Sequence, residues 1–304
     1  MRALLLAFAL IPAAACATAG PPAGPPGPGA HRLAAVQYRI HAGRTPEQVI
    51  AQVEAHVATA STAGAELVIL PELFLFDVWP DEVEDEAAFV REVAADVTPR
   101  ILDAAARAAK ASGVAVLVGS VPELREGALY NTAHLYFPDG REVRQDKVYL
   151  TAWGKKVGMT PGRDLAVFDS PWGRSVILIC YDVEIPELSE RLVAGSPEVI
   201  LVPSMTESEH GLFRVRWAAQ ARAVEHHAYV VVAGTVGHPG PEWVHHGQAA
   251  FITPRDAGYP GILTEGPRDA EAVVLGDLDL ELLRTRRAEA TFYPAKDEAQ
   301  RELR

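Results

Sequence analysis

Cysteine is almost missing: the 304 residues hold two, Cys16 and Cys180. A framework of several disulfides is therefore excluded as the source of stability, and a chain of this length relies on a buried apolar core instead. Basic residues form no block and the formal net charge is −12. That balance opposes the attraction to phosphates on which nucleic-acid binding depends, so no nucleic-acid partner is expected. No apolar run reaches the roughly 20 residues that a permanent bilayer-spanning helix needs. Metal-ligand spacing is missing too. His226-His227 and His245-His246 are adjacent pairs, whose side chains point in different directions, and no third ligand follows at a recognisable distance. Neither a metal nor another cofactor is expected.

What is present begins with a leader. Met1-Arg2 places one positive charge before an apolar run that ends near Ile11 and gives way to Ala13-Ala14-Ala15. This is the pattern of a signal peptide over residues 1–15. Cleavage after Ala15 leaves two alternatives, plain secretion or a lipidated Cys16 of the bacterial lipoprotein kind, although Ala13 replaces the leucine usual three residues before that cysteine. The expectation adopted is an exported, lipid-anchored protein facing the periplasm or the cell exterior, touching a membrane only through that lipid. Residues 16–31 are rich in Pro and Gly and read as a tether. Residues 32–290 read as one domain and 291–304 as a C-terminal tail. With Cys16 lipidated, Cys180 is an unpaired thiol in an oxidising compartment, a liability unless it has a task.

Within the domain, the apolar patterning predicts a strand over 33–37 and a helix opened by the capping box Thr45-Pro46-Glu47-Gln48 and stopped at Gly64. A strand over 67–70 ends at Pro71-Glu72. A helix over 100–111 precedes a strand over 114–119. Residues 131–137 and 141–146 form a hairpin around Pro138-Asp139-Gly140 and deliver Lys147 at its end. A buried strand over 176–179 ends at Cys180, and helices over 186–194 and 213–226 alternate with strands over 199–202 and 229–233. Apolar strands separated by helices predict an α/β domain, and the hairpin makes its sheets mixed.

Three polar residues thus stand just beyond strand ends, where α/β folds gather ligands: Glu72, Lys147 and Cys180. A carboxylate that accepts the thiol proton raises the nucleophilicity of sulfur, and an ammonium favours both the thiolate and a developing oxyanion. The bland reading of each charge alone is a solvated strand end.

The segments carrying them, residues 68–73 (Val-Ile-Leu-Pro-Glu-Leu), 144–151 (Arg-Gln-Asp-Lys-Val-Tyr-Leu-Thr) and 178–187 (Leu-Ile-Cys-Tyr-Asp-Val-Glu-Ile-Pro-Glu), resemble in order and spacing the three catalytic blocks of the nitrilase, or carbon-nitrogen hydrolase, superfamily. The resemblance runs from about Arg32 to Ala290. It implies a four-layer αββα sandwich with two mixed sheets, and a homodimer as a common assembly. It also implies a thiol hydrolase that cleaves the carbon–nitrogen bond of a small-molecule amide. Cys180 is then the nucleophile, Glu72 the general base and Lys147 the stabiliser of the tetrahedral intermediate, with the backbone N–H of Tyr181 as a second oxyanion donor. Trp153 and Glu187 are candidates for the pocket and for orienting its loop. The alternatives are an N-acyltransferase using the same acyl-enzyme and a catalytically weak binding module of the same fold.

Two departures from the resemblance stand out. Many relatives carry a second glutamate a few residues after the lysine, and here that stretch reads Leu150-Thr151-Ala152-Trp153-Gly154-Lys155-Lys156. Two lysines in place of a carboxylate make the expected local field positive, favouring an anionic amide over a cationic one. Glu184 stands where many relatives have arginine. Arg214, Arg216 and Arg222 read as salt-bridge partners along a helix.

Overall fold

The computed structural model describes residues 18–19, 26–80, 82–240 and 243–301. The expected signal peptide over 1–15 and the lipidation candidate Cys16 lie outside the described residues, as does half of the expected tether. The strands are β1 (Thr18–Ala19), β2 (Ala30–Arg39), β3 (Leu67–Ile69), β4 (Ala115–Leu117), β5 (Val121–Arg125), β6 (Ala128–Tyr136), β7 (Glu142–Asp146), β8 (Val167–Ser170), β9 (Gly173–Ile177), β10 (Val199–Ser204), β11 (Tyr229–Gly240), β12 (Trp243–His245), β13 (Ala250–Asp256), β14 (Tyr259–Glu265) and β15 (Ala272–Asp279). The helices are α1 (Pro46–Thr62), α2 (Glu86–Glu92), α3 (Thr98–Ser112), α4 (Ala152–Lys156), α5 (Pro186–Leu192), α6 (Glu209–His226), α7 (Leu280–Glu289) and α8 (Pro294–Ala299).

Local chemistry sets these elements. The Thr45 hydroxyl accepts from Gln48 N at 3.4 Å while the Gln48 side chain accepts from Thr45 N at 2.9 Å, closing the capping box at the head of α1. Along α1, Val49, Val53, Val57 and Ala60 are buried, one stripe at helical spacing. In β2 the two-residue period of a strand sends Leu33 and Ala35 one way and Ala34, Val36 and Tyr38 the other. Leu33 and Ala35 join Leu67, Ile69, Ala115 and Leu117 in a core shared with β9, β10 and β11. Ala34, Val36 and Tyr38 pack instead with the buried stripes of α1 and α3. Leu188 and Leu192 of α5, with Val215, Ala219 and Ala223 of α6, close the β9–β11 side.

The result is the four-layer αββα sandwich. One half has β2, β3 and β4 parallel, with β15 antiparallel to β2 and the meander β5, β6, β7 beyond β4. The other has β9, β10 and β11 parallel, flanked by antiparallel β8 and by β13 and β14. Both halves are mixed, as expected, but they are joined. The strand predicted to stop at residue 233 runs on to Gly240, and Gly234, Thr235 and Val236 of β11 pair in parallel with Gln37, Tyr38 and Arg39 of β2. Its first residues, Val230 to Val232, serve one half and its later ones the other.

Other expectations move at their edges. β2 begins at Ala30, two residues inside the expected tether. The expected tail contains α8, because Pro294 opens a helix and Tyr293 is buried with its ring 4.9 Å from that of His227. β8 and β14 were not foreseen because neither alternates clearly between buried and exposed positions.

Candidate active site

Glu72, Lys147 and Cys180 reach one cavity of about 270 Å³ from different strands. Past β3 the chain makes a parallel bridge from Glu72 to Ser120, and Leu73 N donates to Ser120 O at 2.8 Å. Leu73 then takes a left-handed conformation, φ 48°. Gly119 is needed beneath this turn. A Cβ there would lie 1.9 Å from Pro71 O, and its φ of +63° disfavours other residues. Lys147 leaves β7 with its N–H donating to Asn131 O and its carbonyl accepting from Gly162 N, both at 2.8 Å. Cys180 lies three residues beyond β9 and opens a 3-10 turn, Cys180–Glu184, with φ 49°. A left-handed residue with a side chain costs roughly 1–2 kcal/mol, and here the turn brings the thiol onto the cavity wall.

Inside, Lys147 Nζ donates to Glu72 Oε1 at 2.6 Å, with both side chains 4% exposed. Asn131 Nδ2 donates to the same oxygen at 2.9 Å. The other oxygen, Oε2, accepts from Met205 N at 3.2 Å. The Cys180 thiol donates to Met205 O at 3.5 Å, so one residue just past β10 contacts both the nucleophile candidate and the carboxylate. Burial pushes the Cys180 thiol up to about 12, the Glu72 carboxylate adds to this, and Lys147 opposes it. Burial pulls the Lys147 ammonium down, but Glu72, Cys180 and Asp182 together outweigh it and hold Lys147 above its ordinary value.

Sequence reasoning missed Asn131, Met205 and Asp182. Asp182 is buried and accepts from Tyr149 N at 2.7 Å, Val148 N at 3.2 Å and Ile179 N at 3.3 Å, tying the cysteine turn to the segment after Lys147. Burial pushes its carboxyl up to about 6, against the pull of Lys147 and those N–H groups. The signal for Asn131 was its place opposite Lys147 across the hairpin.

The remaining candidates divide. Tyr181 and Trp153 line the cavity, and Trp153 Nε1 donates to Glu86 at 3.1 Å. Glu187 does not line it. It is exposed in the first turn of α5, where it accepts from the Tyr149 hydroxyl and pairs with Arg191 at 3.9 Å. The expected positive field fails as well: of the three residues standing for the second glutamate only Gly154 reaches the cavity, while Lys155 and Lys156 are exposed and Lys156 pairs with Glu86. α4 turns about 100° per residue, which carries both lysines away from the face that Gly154 presents. Arg214, Arg216 and Arg222 do form salt bridges, with Glu184, Glu265 and Glu225. Arg214 and Glu184 in addition line the cavity. The paired histidines go separate ways: His226 to Ser189, His227 to Asp256, His245 to Thr235 and His246 to Asp269.

A thiol, a carboxylate and an ammonium converging in one cleft suit acyl transfer, and the sequence profile of the carbon-nitrogen hydrolases matches residues 32–288. The chain belongs to this family. As a carbon-nitrogen hydrolase it is an enzyme. It is 33% identical over 272 residues to the probable hydrolase YhcX of Bacillus subtilis (strain 168), covering 88% of this chain and 53% of the relative, so it spans about half that relative's length. It is 26% identical over 261 residues to the omega-amidase NIT2 of Danio rerio, covering 83% and 89% of the two chains. Among solved structures, the hydrolase is similar to an amidase variant from Nesterenkonia sp. AN1, with a TM-score of 0.72 and 26% identity over 88% of this chain and 97% of that one. In that structure the acetamide moiety of fluoroacetamide is covalently added at the active-site cysteine. Nit3 of Saccharomyces cerevisiae, a member of the nitrilase superfamily at 20% identity, shares the fold with a TM-score of 0.73 over 86% and 94% of the chains.

Proposed function

We propose that this carbon-nitrogen hydrolase cleaves the amide of a small molecule through a thioester on Cys180. Support comes above all from the contact of Lys147 with Glu72 at 2.6 Å on the wall that also carries Cys180. Oε1 of Glu72 is already held by two donors, which leaves Oε2 as the site for the thiol proton. The sulfur attacks the amide carbon as its proton passes to Glu72, and the oxyanion is met by Lys147 Nζ and the Tyr181 N–H. The C–N bond breaks, and ammonia or an amine leaves with the proton from Glu72. Water then attacks the thioester, gives its proton to Glu72, and the carboxylic acid departs as the proton returns to sulfur.

The test is a panel of small amides offered to the parent, to Cys180→Ala and to Glu72→Gln, with mass spectrometry of protein and products. The parent releases acid and amine, Cys180→Ala is folded and inactive, and a protein mass increased by one acyl group marks the thioester. Turnover by folded Cys180→Ala overturns the mechanism. N-acyl product formed from an added amine in preference to acid makes the enzyme an acyltransferase.

Residues 1–16 support a second proposal, that the protein is exported and carries a lipid on Cys16. Mass analysis of the native protein is expected to find Cys16 as the lipidated N-terminus, and an unmodified chain retaining residues 1–15 overturns it.

A further inference from the structure

Charges on the cavity wall are unevenly paired. Five charged side chains line it: Glu72, Lys147, Glu184, Glu207 and Arg214. Lys147 is bound to Glu72 at 2.6 Å, and Arg214 to Glu184 at 3.1 Å. Among the described residues, Glu207 is the one charged group on the wall without an ion-pair partner. Its carboxylate is oriented all the same, because the indole N–H of Trp243 donates to its Oε1 at 2.7 Å. A neutral indole fixes the direction of that carboxylate and brings no opposite charge to it, and because Glu207 is exposed at the cavity rim, solvent is what screens it.

The second pair tips the same way. Glu184 is 15% exposed and Arg214 is 60% exposed, so solvent screens the cation more than the anion. Trp153 and Tyr181 add aromatic faces to this wall, surfaces that attract cations. Among the described residues no uncompensated positive group on the wall opposes them, since Lys155 and Lys156 do not line the cavity.

We propose that the cavity selects amides bearing a cationic substituent, a primary ammonium or a guanidinium, and that Glu207 is the residue that recognises it. The assignment rests on the amide-hydrolysis reading for its reaction and on charge pairing for its specificity. A cation at the far end of the substrate meets the carboxylate of Glu207 while the amide carbon lies at Cys180. The Glu184–Arg214 pair tunes the same wall, and removing its arginine strengthens the preference.

Three amides of matched length, ending in ammonium, methyl and carboxylate, are compared by kcat/KM in the parent, Glu207→Gln and Arg214→Gln. The parent is expected to favour the cationic over the neutral amide by at most roughly fivefold, the upper end for a solvent-exposed ion pair. Glu207→Gln brings that ratio toward one, and Arg214→Gln raises it. High salt lowers the parent ratio as screening demands. Binding of the same three amides to Cys180→Ala, followed calorimetrically, reads the preference without turnover. If no amide is cleaved yet the cationic one binds best, and loses that advantage in the Cys180→Ala, Glu207→Gln double variant, the hydrolysis reading fails and the recognition stands. If amides are cleaved with no charge preference, with a preference for the anionic one, or with a ratio that Glu207→Gln leaves unmoved, the recognition is overturned and the hydrolysis reading survives.

Discussion

Asn131 is 2% exposed and spends one amide N–H on Glu72 Oε1, beside the Lys147 ammonium. The two donors together stop that carboxylate from turning and keep its second oxygen for proton transfer. Asn131→Leu retains the approximate volume and deletes the donor. Hydrogen bonds to charged groups are worth roughly 1.5–3 kcal/mol, so kcat is expected to fall by about ten- to a hundredfold. KM should move much less, because Asn131 acts through Glu72. Thermal unfolding of the variant separates this from general damage: a protein that melts as the parent does and keeps its kcat would remove Asn131 from the machinery. The thiol pushed up to about 12 belongs to the same logic. Raising a thiol's pKa makes it less open to adventitious oxidation, which suits a cysteine in the oxidising compartment proposed for this chain.

Elements explain what was legible in the sequence and what was not. Glu72, Lys147 and Cys180 could be picked out because each follows directly on an apolar run or a hairpin, and strand ends are where side chains emerge into a cleft. The capping box of α1 is written in four consecutive residues and needs no tertiary information. Met205 and Asp182 act through contacts to residues up to 133 positions away, which local pattern does not encode. Lys155 and Lys156 lie close to Lys147 in sequence but not on the cavity wall, a difference that linear neighbourhood does not convey. A single turn of helix, α4, intervenes with Thr151 as its N-cap and rotates them out. Glu207 escaped, and Arg214 was legible only as a salt-bridge partner, for the opposite reason, since the loop after β10 and the start of α6 lie outside the three catalytic blocks in sequence and next to them in space. β11 was cut short because its later half, Thr235 to Gly240, trades apolar residues for Gly, His and Pro just where it changes partners.

For the whole molecule, buried titrating groups set the response to acid. Burial lowers both His226 and His245 from an ordinary 6.5 to about 4. Between those values the unfolded chain binds more protons than the folded one, so their contribution is complete above about pH 6.5 and drains away as pH falls toward 4. Asp182, raised from 3.8 to about 6, works in the opposite sense. Its folded form takes up a proton first, which returns stability as pH falls from about 6 to 3.8. Two imidazoles outweigh one carboxyl, and the net loss between pH 7 and pH 5 is on the order of 2 kcal/mol. Urea midpoints measured at pH 7, 6 and 5 are expected to decline together with pH, and less steeply in His245→Asn. Midpoints that hold level or rise toward pH 5 would contradict the assignment of these groups.

The strand that crosses from one half of the sandwich to the other bears on how the enzyme fails. Glu72 and Lys147 belong to the half built on β2, and Cys180 to the half built on β9, so the reaction centre sits on a seam. β11 is bonded on both sides of that seam through Val230 to Val232 and Gly234 to Val236. A sliding motion between the halves would have to break the backbone ladder of one continuous strand. The two halves are therefore expected to melt as a single cooperative unit, with activity lost in the same transition that separates them.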